Sequence, residues 1–116
     1  MSADVARLDE TFAALADPAR RGIVDLLRGQ PLRSSEIADA LSLSRPAASR
    51  HLRILRRAGV VREQSLEDDA RARVYQLRSE PLANLRDWAG EAAAFWEGQL
   101  AGFKEQAERG TGKRRA

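Results

Sequence analysis

Ser44-Arg45-Pro46-Ala47-Ala48-Ser49-Arg50-His51-Leu52-Arg53-Ile54-Leu55-Arg56-Arg57-Ala58-Gly59 decides the fold. Its apolar positions Ala48, Leu52 and Leu55, flanked by Ile54, recur at steps of three and four, the spacing of one face of an α-helix. Ser44 stands where an N-cap belongs, Pro46 is tolerated in a first turn, and Gly59 is the residue that ends helices. The helix so marked runs over residues 44–58. The opposite face collects Pro46, Ser49, Arg50, Arg53 and Arg57. From Leu41 to Arg62 there are six arginines (Arg45, Arg50, Arg53, Arg56, Arg57 and Arg62) and no acidic side chain, although the whole chain has a net charge of only +3. Segments 1–40 and 63–106 are both net acidic, so the weak total hides a concentrated basic segment. One sign of charge gathered on one helix face is the footprint of a nucleic-acid contact element. A merely solvated arginine face is the alternative for such a helix taken alone.

Upstream lie three more helical patterns. Val5, Leu8, Phe12 and Leu15 mark the first. Asp17-Pro18 reads as an N-cap followed by proline at the first helical position. The helix it opens turns Ile23, Val24, Leu26 and Leu27 inward and stops at Gly29. After a turn at Gln30-Pro31, Ser34 is predicted to cap a short third helix with Ile37, Ala38 and Leu41 on one face. Ser42-Leu43 is then a tight connection, and the two helices it joins match a helix-turn-helix.

Downstream the period changes. Residues 60–65 and 71–77 are short strand-like runs separated by the polar Leu66-Glu67-Asp68-Asp69-Ala70, which predicts a hairpin with a loop longer than two residues. A hairpin directly after a helix-turn-helix is a wing, here residues 60–77. From Pro81 a long helical pattern resumes through Leu82, Leu85, Trp88, Ala92, Phe95, Trp96, Leu100 and Phe103. The fold class is therefore mainly α with a small β-hairpin, a winged helix-turn-helix in the order α-α-α-α-β-β-α. Residues 1–106 form the DNA-binding and dimerisation domain, and the short, basic, glycine-containing tail 107–116 is predicted to be disordered.

Composition narrows the function classes. The 116 residues suffice for one modest core and leave little room for a catalytic cleft between domains. No apolar run approaches the roughly 18 residues of a membrane helix. The N-terminus, Met-Ser-Ala-Asp, lacks a basic region followed by an apolar one, so no signal peptide and a cytoplasmic location are expected. The absence of cysteine excludes disulfides and thiolate metal sites. No nucleophile, phosphate loop or Ser-His-acid arrangement is apparent, so the chain is not read as an enzyme and no cofactor is expected. Asp9-Glu10 and Asp68-Asp69 are adjacent acids that read as solvated surface.

The partner expected is double-stranded DNA. A helix fits the major groove, and its N-terminal turns reach base edges, which places Arg45, Ser49 and Arg50 as readers. Arg53, Arg56 and Arg57 lie further back, within reach of phosphates. In the wing, Arg71 and Arg73 could enter the minor groove or touch phosphates, while Glu67, Asp68 and Asp69 would be repelled. Either the loop tip points away from DNA or the two arginines screen it. His51, the only histidine, lies beside Leu52 and Leu55 at the edge of the packed face, which favours a half-buried structural role over a ligand. The aromatics of the last helix favour a dimer interface over a small-molecule pocket, because a monomer this small struggles to cover two amphipathic terminal helices.

Two stretches carry a family resemblance: Ala14-Leu15-Ala16-Asp17-Pro18-Ala19-Arg20-Arg21, and Ser44-Arg-Pro-Ala-Ala-Ser49-Arg-His51-Leu52-Arg-Ile-Leu55-Arg-Arg-Ala-Gly59-Val60-Val61. Together they resemble the ArsR/SmtB-type winged-helix repressors over roughly residues 5–100. The resemblance implies a homodimer joined through the first and last helices, and operator binding that represses transcription, often released by an effector. It places DNA reading on Arg45, Pro46, Ser49 and Arg50; Ser44, Arg53, Arg57 and the wing's Arg71 and Arg73 complete the DNA-binding set expected from the residues themselves. The dimer interface expected is Leu8, Phe12, Leu85, Trp88, Phe95, Trp96, Leu100 and Phe103. Metal-sensing members carry a cysteine pair where this chain has Arg33-Ser34-Ser35, or histidines on the last helix, which here has Asp87, Glu91 and Glu97 but no histidine. A first-row metal site needs three or four N, S or O ligands, so a branch without metal sites is implied. Any small-molecule effector is unidentified. A winged helix used for protein–protein contact and a transcriptional activator are the alternatives.

Overall fold

A computed structural model describes residues 3–66 and 69–115. Its elements run α1 (Ala3–Leu15), α2 (Pro18–Leu27), α3 (Ser34–Ala40), α4 (Arg45–Arg57), β1 (Val61–Leu66), β2 (Asp69–Leu77) and α5 (Ser79–Arg115). Residues up to Leu85 make one compact unit, and α5 from Arg86 onwards is a second, described by itself.

Capping chemistry sets the helix limits. At α2 the Asp17 carboxylate accepts the backbone N–H of Ala19 at 2.8 Å and of Arg20 at 3.3 Å, with Pro18 at the first helical position. At α4 the Ser44 hydroxyl accepts the Ala47 N–H at 3.2 Å. The start of α3 differs from expectation. Ser34 is already the first helical residue, Arg33 is the N-cap, and the Glu36 carboxylate accepts the Arg33 N–H at 3.0 Å. A glutamate three residues after the cap supplies half of a capping box, whichever residue occupies the cap.

Both helices of the helix-turn-helix end in the same way. After α3, Ser42 adopts φ 54° and the Leu43 N–H donates to the Ala38 carbonyl at 2.9 Å. After α4, Gly59 adopts φ 78° and the Val60 N–H donates to the Leu55 carbonyl at 3.0 Å. A left-handed residue followed by a bond back across the last turn satisfies carbonyls the helix leaves open. It also turns the chain sharply, first into α4 and then into β1.

The core forms where these elements meet. Ala14 of α1, Ile23, Val24 and Leu27 of α2, Ile37 of α3, Leu52 and Leu55 of α4, and Val60 and Val61 bury against one another. Leu32, Leu41, Tyr75, Leu77 and Leu82 pack around them half-buried. Each Leu or Ile so buried contributes about 2 kcal/mol of transfer free energy. Leu52 and Leu55 thus fix which face of α4 turns inward, and therefore which turns out.

The hairpin is antiparallel, with Val61 opposite Leu77, Glu63 opposite Tyr75 and Ser65 opposite Arg73. Its pairing continues to Leu66 opposite Asp69 across a register irregularity at Ser65/Leu66. The five-residue loop predicted over 66–70 is therefore too long. Asp69 and Ala70, poor strand formers, are carried into β2 by pairing that the irregularity permits. Leu32 exchanges both backbone bonds with Tyr75, at 3.1 and 2.8 Å, and ties the α2–α3 connection to β2. The α5 assignment continues through Gly110 and Gly112 to Arg115, beyond residue 106, where composition placed the end of the folded domain. Among the described residues no helix is long and apolar enough to cross a membrane.

Candidate nucleic-acid interface

The outward face of α4 is the candidate site. Ala48, Leu52 and Leu55 are buried, so the helical period leaves Arg45, Pro46, Ser49, Arg50, Arg53, Arg56 and Arg57 exposed. Ser44 sits at the head of this row with its hydroxyl committed to the cap. Among the described residues, Arg45, Arg50, Arg53 and Arg57 have no carboxylate within ion-pair distance. The aligned peptide dipoles place partial positive charge at the N-terminus of α4, beside Arg45 and Ser49. An exposed helix end with uncompensated guanidinium groups is chemically suited to phosphates and to the acceptor edges of guanine.

Two of the basic residues are engaged differently. Glu63 on β1 accepts from Arg56 Nη1 at 2.7 Å and from Arg73 Nη1 at 3.0 Å, one arginine on each carboxylate oxygen. Arg73, assigned from sequence to wing contact, is therefore held by an ion pair to its own sheet. Arg71 lies outside the residues whose side chains are described. Tyr75, opposite Glu63, has its hydroxyl pushed above the ordinary phenol value by burial and by the Glu63 carboxylate, against the lowering effect of Arg56 and Arg73.

Sequence reasoning passed over the support beneath α4. Arg20 Nε donates to the Ala14 carbonyl at 2.6 Å, and Arg20 Nη2 to the Ala13 carbonyl at 3.3 Å. Its Nη1 lies 3.3 Å from Nδ1 of the half-buried His51. Arg21 Nη1 donates to the Leu15 carbonyl at 2.9 Å. The last turn of α1 has no basic residue of its own, and these two arginines satisfy its open carbonyls from the next helix. The Asp17 carboxyl beside them is lowered overall: burial raises it, and the Arg20 and Ala19 N–H groups with the His51 and Arg20 charges outweigh that. The signal was present in Asp17-Pro18-Ala19-Arg20-Arg21, but only the cap was read from it.

The residues assigned to a dimer interface fall in two groups. In the first unit, Leu8 and Leu85 are half-buried and Phe12 is 39% exposed. Along α5 beyond Arg86, Trp88, Phe95, Trp96, Leu100 and Phe103 are 50, 70, 60, 47 and 64% exposed. Their spacing places them on one helical stripe. Among the described residues no three His, Cys, Asp or Glu side chains gather where they could hold a metal ion.

Comparison with known proteins agrees with this geometry. A model of bacterial regulatory proteins of the arsR family matches residues 17–63, which span α2, the helix-turn-helix and the first residues of β1. The HTH-type transcriptional regulator Rv2034 of Mycobacterium tuberculosis is 39% identical over 97 residues, covering 84% of this chain and 85% of that protein. The transcriptional repressor SdpR of Bacillus subtilis is 41% identical over 54 residues, covering 47% of this chain and 60% of that protein. Among solved structures, an ArsR-like transcriptional regulator from a Rhodococcus species superposes with a TM-score of 0.73 at 29% identity, covering 87% of this chain and 92% of that one.

Proposed function

The chain belongs to the arsR family of bacterial regulatory proteins, and from that premise we propose that it is a homodimeric repressor of transcription. It binds an inverted-repeat operator through helix 44–58, with the wing 60–77 alongside. The observation that carries this reading is the outward face of α4, where Arg45, Arg50, Arg53 and Arg57 stand exposed without carboxylate partners among the described residues. Base reading falls to Arg45, Ser49 and Arg50 in the first turns, and phosphate contact to Arg53 and Arg57. A two-fold dimer sets two such helices about 34 Å apart, one turn of DNA, which is why the operator is an inverted repeat. Occlusion of polymerase is the simplest route from binding to repression.

Support for the dimer comes from the α5 stripe, since monomers rarely expose so much contiguous aromatic surface. The relative named as a transcriptional repressor supports the sign of regulation. The chain is not a metal sensor of the cysteine or histidine type: it has no cysteine, and its one histidine is engaged by Arg20. Fluorescence-anisotropy titration of the DNA upstream of its own gene, against scrambled duplex and across a salt series, tests the proposal. Selective binding with a steep salt slope is expected. Binding to neither duplex at low salt would refute it.

A further inference from the structure

Glu63 is the one described acid within ion-pair distance of the basic surface formed by α4 and the wing. Its carboxylate sits between the last turn of α4 and the second strand of the hairpin, with Arg56 2.7 Å away on one oxygen and Arg73 3.0 Å away on the other. The Glu63 side chain is 16% exposed, against 51% for Arg56 and 59% for Arg73. An isolated surface ion pair contributes little. A carboxylate 16% exposed and shared by two guanidiniums holds each more firmly than an isolated surface pair does, because drawing either arginine away gives up one of its two charge-assisted hydrogen bonds. A phosphate that drew Arg56 or Arg73 away would have to bear that penalty.

We infer that Glu63 is a negative determinant of DNA affinity: it holds Arg56 and Arg73 out of the phosphate contacts and so caps sequence-independent binding. The inference rests on the DNA-binding reading above and sharpens it, because it divides the arginines by what they face. Arg45, Arg50, Arg53 and Arg57 are available to DNA, whereas Arg56 and Arg73 already have an anion. Sequence-independent affinity comes from phosphate neutralisation and counterion release, at roughly 0.9 in the salt exponent per phosphate. Two withheld arginines therefore lower affinity for every duplex and leave the base-reading turn of α4 untouched. Bulk DNA competes with an operator by its abundance, so such a cap favours occupancy of the operator.

The test is the salt slope on a random-sequence duplex, read by fluorescence anisotropy from about 50 to 200 mM salt with the full chain. Glu63→Gln should steepen the slope by about two and tighten binding roughly tenfold more at the low end of the range than at the high end. Glu63→Asp, which keeps the charge, should stay close to wild type. Arg56→Gln and Arg73→Gln in the otherwise wild-type chain should leave the slope unchanged, and these exposed substitutions keep the test open if Glu63→Gln folds poorly. An unchanged or shallower slope for Glu63→Gln, or a slope shallower by about one for either arginine variant, would overturn the inference. If wild type binds no duplex at all, the DNA reading falls and this inference falls with it.

Discussion

Arg20 Nη1 on α2 lies 3.3 Å from Nδ1 of His51 on α4, across 31 residues of sequence. The same guanidinium holds two carbonyls at the end of α1, so one side chain fastens α1, α2 and α4 together. Arg20→Ala removes all three bonds and leaves the partly buried Ala14 carbonyl and the imidazole without them. A loss of about 2 kcal/mol is expected, a fall in melting temperature of roughly 10 °C. Arg20→Lys should recover only part of it, because an ammonium cannot reproduce the guanidinium fork. Thermal unfolding followed by circular dichroism decides the matter, and an unchanged midpoint for the alanine variant would show that the bonds contribute nothing.

The neighbouring Asp17 gives a signed pH dependence. Its carboxyl is lowered below the ordinary value of 3.8 in the folded chain, so the unfolded chain takes up the proton first as pH falls. The stability it contributes is fully present above the unfolded value and is lost as pH falls through the folded one. Asp17→Asn keeps a capping oxygen but does not titrate. Urea midpoints measured from pH 6 downwards should therefore converge, with wild type losing its advantage at the acid end. Parallel curves for the two chains would refute the assignment.

Ser42 and Gly59 occupy equivalent left-handed positions after α3 and α4, and only one of them is a glycine. An L side chain in this region is strained by about 1 kcal/mol. Ser42→Gly should stabilise the chain by up to that amount, and Gly59→Ala should destabilise it comparably. A Cβ at Gly59 would find its nearest neighbour 3.6 Å away, so the penalty there is backbone strain rather than a clash. Equilibrium denaturation reads both, and a destabilised Ser42→Gly would mean that the serine side chain holds the turn in a way its backbone angle does not reveal.

What could be read in advance follows the range of the interactions involved. Ser44, the Ala48/Leu52/Leu55 period and Gly59 all act within a turn or two of α4, so the helix, its buried face and its arginine face were legible residue by residue. The α3 cap was misplaced by one residue because Ser34 and the Arg33–Glu36 pair both announce a helix start, and only backbone geometry separates them. The reach of β2 to Asp69 was hidden by weak strand formers at its beginning. The Glu63 partner of Arg73 was not legible because it is set by strand register, which sequence periodicity does not reveal. Arg56 and Glu63 are only seven residues apart, but they meet because Gly59 turns the chain between them. Arg20 and His51 meet solely through tertiary packing.

The division of labour along α4 separates two kinds of loss. On the proposed reading, Arg50, one turn into the helix, would read bases, and Arg57, in the last turn, would meet phosphate. Arg50→Ala should weaken operator binding by about 1–3 kcal/mol and random-duplex binding much less, whereas Arg57→Ala should weaken both alike and make the salt slope shallower by about one. Titrations of both variants on both duplexes give the comparison. Equal losses on operator and random DNA for both variants would contradict the assignment of bases to the first turns and phosphates to the last.

The α5 stripe makes the proposed dimer testable without touching α4. Trp96 is 60% exposed, so no part of the described core depends on it. If the stripe is the subunit interface, Trp96 is buried on association, and large aromatics at the centre of such interfaces contribute roughly 2 kcal/mol or more each. Trp96→Glu adds the penalty of burying an unpaired charge. Sedimentation should show wild type as a dimer at micromolar concentration and the variant shifted towards monomer. Circular dichroism should show the helices retained. Operator affinity should fall with dimerisation, because a monomer engages one half-site and loses the benefit of linking two. A wild-type monomer at micromolar concentration would refute the dimer, and a variant that stays dimeric would move the interface elsewhere; either leaves the aromatic stripe in need of another occupant.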